Sequence, residues 1–289
     1  MSLYKTSHCC ASVHEQCGNN NDECCCWCHK PQEELETWQV KEIAYHEKID
    51  KSKEEHKMKK YELTATSIQI RGVHLYQIRR KTTGELGGFI EREENLSQYG
   101  DAWVSGNARV SGNARVYGDA WVSGNVHVSG NARVSGDARV YGDAHVYGDA
   151  HVSGNAHVYG DARVYGDAWV SGDAHVSGNA RVSGNARVSG DAYVYGDAYV
   201  YGDAHVSGNA RVYGDARVSK KSHVFHTSCL IYNITVTPQN IQIGCLLNTH
   251  KAWKKKYKEI AKKRKVLASE IKYIKETCLL GIKVVTSYA

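Results

Sequence analysis

The chain has 289 residues, 42% of them hydrophobic, yet it holds only 2 Phe, 2 Met and 2 Pro against 27 Gly and 19 Tyr. That supply excludes a conventional Leu/Phe core, and no apolar run reaches the roughly 18 residues of a membrane helix. The net charge of +6 is uneven, at −2 over residues 1–98, −3 over 99–218 and +11 over 219–289. No apolar stretch follows a basic start, so the expectation is a soluble, cytoplasmic protein with no membrane partner.

Seven of the 10 cysteines fall within residues 9–28. In a reducing compartment such a cluster reads as thiols or metal ligands before disulfides. Cys25 and Cys28 have the spacing of one zinc-binding pair, but the partner pair is badly spaced. The leading reading is an incidental Cys-rich tail with no cofactor. Zinc on Cys24, Cys25, Cys28 and His29 is the alternative. Residues 31–57 read as a charged helix with Leu35, Trp38, Tyr45 and Ile49 on a weak stripe. Residues 1–57 together form an accessory extension, and 58–98 an N-terminal β cap. Within the cap, 61–64 and 73–78 alternate as strands, and 84–91 leads into the repeats.

Residues 99–218 are 20 uninterrupted copies of (Tyr/Ser)-Gly-(Asp/Asn)-Ala-x-Val, with a degraded copy ending at Val224. Ala-x-Val alternates small, polar and branched, which is a short strand with Ala and Val on its inner face. Gly with Asp or Asn then turns a corner, because these residues best tolerate positive φ. So short a strand buries nothing alone, so the chain must coil and stack. Three strands and three corners close a triangular coil of 18 residues, and coils about 4.8 Å apart give a prism on the order of 32 Å long. Residues 99–224 are therefore expected to form the solenoid.

The variable position before each Val faces outward. One face reads Trp103, Trp121, Arg139, His157, His175, Tyr193, Arg211; the next begins at Arg109 and the third at Arg115. Six outward histidines, His127, His145, His151, His157, His175 and His205, are the available bases, and none differs in its surroundings. Catalysis needs one preorganised constellation, so no catalytic residue is assigned. Stacked pairs such as His127/His145 are the alternative as metal ligands. Every Tyr unit carries Asp, whereas most Ser units carry Asn, which reads first as duplication of two modules.

Residues 225–248 read as a C-terminal β cap, with strands at 230–236 and 241–244 around Pro238. From 249 to 278 the period turns helical, with Trp253, Tyr257, Ile260, Leu267, Ile271, Ile274 and Cys278 on one stripe. The opposite face holds Lys254, Lys255, Lys256, Lys262, Lys263 and Arg264, candidates for contact with nucleic acid or another acidic partner. Residues 249–289 are thus a basic amphipathic helix and tail.

The aliphatic residue with a small residue two before it, repeated throughout 99–218, resembles the hexapeptide-repeat left-handed parallel β-helix of the trimeric acyltransferase-like superfamily. The fold so implied is an all-β solenoid with small β caps and flanking α-helices at both ends. The flanks LYQIRR, GELGGFIEREENLSQYGDAWV, ITVTPQNIQIGC and THKAWKKKYKEIAKK resemble a family of prophage and mobile-element hexapeptide-repeat proteins. Its members are named transferases or polymer-forming cytoskeletal proteins, and the resemblance supplies no catalytic residue to carry over. The leading functional expectation is a non-enzymatic scaffold that self-associates, as a trimer for instance, or docks a protein partner. The rival is a trimeric acyltransferase-like enzyme with an inter-subunit acyl-CoA site. Nucleic-acid binding through the basic helix is the third reading.

Overall fold

A computed structural model describes residues 59–229, 232–243, 246–263 and 268–287. The chain divides at Met58, and Lys59–Ala289 form the second unit. The cysteine cluster and the expected helix at 31–57 lie outside the described residues.

The second unit opens with strands β1 (Tyr61–Ile70), β2 (Val73–Arg80) and β3 (Leu86–Ile90), each antiparallel to the next. Arg71 and Gly72, both at positive φ, turn β1 into β2. Twenty two-residue rungs come next, β4–β23, from Trp103–Val104 to Arg217–Val218. Successive rungs pass to successive faces, so each pairs in parallel with the rung 18 residues on, as His145 does with Arg163. The face carrying Arg109 is a sheet of 10 strands because β1–β3 extend its lower edge. The Trp103 face has seven rungs and the Arg115 face six. The fold is a parallel β-solenoid, as its six-residue period requires.

Every interior Ala and Val from Ala102 to Val218 is buried, none more than 1% exposed. Each Val so buried contributes about 1.5–3 kcal/mol, and the narrow bore leaves no room for larger side chains. Coil-to-coil backbone bonds repeat with little variation, as in Arg163 N–H to Ala180 O at 2.9 Å and Tyr147 N–H to Val164 O at 3.0 Å. The corner Asn/Asp choice also has a structural consequence. Asn125 Nδ2 donates to Asp143 Oδ1 and Asn155 Nδ2 to Asp173 Oδ1, both at 2.8 Å, so the amides bridge one coil to the next.

Parallel stacking begins upstream of the regular repeats. Ile90 pairs with Val110 and Leu96 bridges to Val116, so this coil carries 20 residues in place of 18. It stops the open edge with side chains. Lys60 Nζ donates to the carbonyls of Gly100 and Ala102, and buried Asn95 donates to those of Gly112 and Ala114. Burial, with Arg80 nearby, pushes the Lys60 ammonium down to about 8.

The regular rungs end at Val218. Val224 still packs against the solenoid core, but a short 3-10 turn at Lys221–His223 takes the place of a rung. Strands β24 (Phe225–Cys229), β25 (Tyr232–Val236), β26 (Asn240–Ile243) and β27 (Leu246–Thr249) then form an antiparallel meander. Its polar side chains answer the last coil: Thr235 Oγ1 accepts from Arg211 N–H, and Gln239 Oε1 accepts from Arg217 N–H. An edge answered by side chains offers little template for another strand.

The single helix expected from 249 to 278 is two helices, α1 (His250–Lys263) and α2 (Ala268–Thr286), with residues 264–267 outside the described set. Trp253, Ile274 and Cys278 of the predicted stripe are buried with Ile234, Val236 and Ile241 of the meander. Ile282 and Val285 carry the same packing further along α2, into the segment expected to be tail.

Candidate functional site

The outward ladders stack at the inter-rung spacing. His151 lies on Trp169 at 4.5 Å between ring centroids, His175 on Tyr193 at 4.6 Å, and His127 on His145 at 4.9 Å. The corner tyrosines form a second set, with Tyr141 over Tyr159 and Tyr147 over Tyr165, both at 4.9 Å. These contacts are carried by planar groups placed on a rigid backbone, so their geometry comes from the repeat.

The faces are nevertheless not uniform. Trp103, expected from the repeat to be the first outward rung, is fully buried. Tyr61 meets it edge-on at 6.5 Å and the Arg80 guanidinium sits 4.3 Å above its ring, so the cap covers the position. The second departure sets two histidines apart. The β1–β2 hairpin reaches over the Arg109 face and encloses a pocket of about 550 Å³ with Arg109, His127 and His145. Ile70, Val73, Leu75 and Tyr147 give it apolar wall, and Arg71 projects from the hairpin turn.

Arg109 Nη1 lies 3.0 Å from His127 Nε2. A guanidinium can only donate, so Nε2 accepts and the neutral ring carries its proton on Nδ1. Burial lowers the His127 pKa first, and His145, Arg109 and Arg71 add to the effect. His145 is lowered by burial and Arg163, with Asp143 and Asp161 opposing. Both rings therefore favour the neutral form. Sequence reasoning found all six outward histidines but could not separate these two. The available signal was the Arg71–Gly72 turn between alternating apolar residues, which marks a hairpin. Which rungs it overhangs is not written locally.

The other candidates are scattered. Lys254 and Lys255 are exposed on α1, Lys256, Lys262 and Lys263 belong to the same helix, and Arg264 lies outside the described residues. Cys24, Cys25, Cys28 and His29 also lie outside them. Among the described residues no three of His, Cys, Asp and Glu gather as a metal site, so the stacked histidines stand as pairs. No described helix is long and apolar enough to cross a membrane.

The family model described as the YdcK beta solenoid repeat matches overlapping windows at 102–118, 108–124, 114–130, 126–142, 132–148 and 138–154, then 156–172, 174–190, 180–196 and 204–220. These windows lie almost wholly on the regular rungs and leave the β1–β3 cap and both helices unmatched. The chain is thus similar to that repeat over its solenoid. A search of curated proteins finds no match.

Proposed function

We propose that this protein is a non-enzymatic scaffold, a capped prism that works in the cytoplasm by self-association or by docking a protein partner. The observation that carries this reading is the unbroken register of the rungs. From Trp103 to Val218 each strand pairs with its counterpart 18 residues away, and no loop leaves a coil to build a reaction centre. A surface of repeated planar groups on such a rod supports extended contact better than chemistry at one point.

The enzyme reading has one observation in its favour, the hairpin over His127 and His145. An acyltransferase of the trimeric type would bind an acyl-CoA between subunits. Mass in solution and thermal denaturation with acetyl-CoA separate the two readings. The scaffold reading expects a melting temperature unchanged by acetyl-CoA, and a trimer that binds it tightly would overturn that reading.

A further inference from the structure

The hairpin pocket collects positive charge that nothing in its wall answers. Arg71 comes from the β1–β2 turn and Arg109 from the second rung, and the lining contains no carboxylate. Two other arginines of the cap have carboxylate partners: Arg79 pairs with Glu62, and Arg80 with Glu85. A pocket of about 630 Å³ on the Arg115 face makes the contrast plain, since Glu93 and Glu94 line it together with Arg115 and Arg133.

The donors here are also incomplete. Arg109 Nε and His127 Nδ1 are both buried, and neither has a hydrogen-bond partner. A buried donor left unpaired is unfavourable, and an oxyanion entering the pocket would supply the missing acceptors. The backbone adds a further observation. Arg71 is the one described non-glycine residue at positive φ, at 50°. That position of a two-residue turn normally goes to Asn, Asp or Gly, so an arginine is held there at a conformational cost.

We propose that this pocket binds the anionic group, carboxylate or phosphate, of a small molecule whose apolar part lies against Ile70, Val73 and Tyr147. Arg71 and Arg109 hold the anion from two sides, since guanidinium groups match both oxyanions in geometry and charge. His127 keeps Nε2 as the acceptor of Arg109 and offers its unpartnered Nδ1–H to the anion, so the ring takes part in its neutral form. A ligand here needs no chemistry, so the pocket is compatible with a scaffold and with an enzyme alike.

The test is calorimetric titration of the full chain with inorganic phosphate and, separately, with butyrate, at constant ionic strength. Saturable binding of at least one anion is expected at pH 7.5, where both histidines are in the form the structure favours. Which of the two binds better decides between phosphate and carboxylate. Arg71→Gln lies in the exposed hairpin turn and leaves the rungs intact, so it and Arg109→Gln should each weaken binding at least tenfold. Arg187→Gln, on the Arg115 face, should leave it unchanged. Absence of binding by both anions, or equal affinity in wild type and Arg71→Gln, overturns the proposal.

Discussion

The stacking of corner upon corner can be isolated by one methyl group. Gly160 and Gly208 occupy the same corner position at similar φ, 69° and 61°. A Cβ added at 160 would lie 3.0 Å from the backbone nitrogen of Gly178 in the next coil, whereas one added at 208 meets only His226 Cδ2 at 3.8 Å. Both alanines suffer the left-handed backbone, which costs about 1–2 kcal/mol. Only Gly160→Ala must also push against a coil that cannot retreat, because Tyr159 N–H to Val176 O at 2.9 Å holds the two together. Overpacking of this kind adds about 1–3 kcal/mol. Gly160→Ala should therefore cost about 2–5 kcal/mol against about 1–2 kcal/mol for Gly208→Ala. Urea unfolding followed by far-ultraviolet circular dichroism compares them, and thermal midpoints should shift by about 2–4 °C per kcal/mol at this size. Equal losses would mean that φ alone sets the corner, and the close stacking of glycines would carry no energetic weight.

Three further outcomes rest on the same geometry. Val164→Asp places an unpaired charge in a bore of Val and Ala and should cost several kcal/mol, whereas the exposed neighbour change Arg163→Ser should cost under about 0.5 kcal/mol; equal losses would invert the assignment of inner and outer positions. His127, His145, His151, His157, His205, His223, His226 and His250 all have pKa values lowered chiefly by burial, so below about pH 6.5 the unfolded chain binds more protons than the folded one. Stability should accordingly fall as pH drops from about 6.5, and the double change His127→Gln with His145→Gln should reduce the difference in melting temperature between pH 7.5 and pH 5.5; an undiminished difference would show that these two rings do not contribute. If α1 is a nucleic-acid surface, duplex DNA should bind with an affinity that falls steeply with salt, and Lys254→Glu with Lys255→Glu should abolish it; retention of binding would place the contact elsewhere.

The solenoid was legible in the chain because each rung makes the same contacts as every other. Val164 and Ala162 need only the equivalent residues 18 positions away, so a six-residue period contains the register, the inner face and the glycine corners. The strand segments 61–64, 73–78, 232–236 and 241–243 were legible for a similar local reason, alternation broken by turn residues, whereas the 65–70 half of β1 and the outer meander strands β24 and β27 were not. What lay beyond the sequence were the contacts made once. The burial of Trp103 depends on Tyr61 and Arg80, and the edge caps depend on where Lys60, Asn95, Thr235 and Gln239 arrive. Likewise Arg71 meets Arg109, His127 and His145 only because a hairpin at the lower edge of one sheet folds over rungs that come after it in the chain. A period carries no information about such meetings. They are set by the path of a segment that does not repeat, and that path exists only when the coils it lies against have formed.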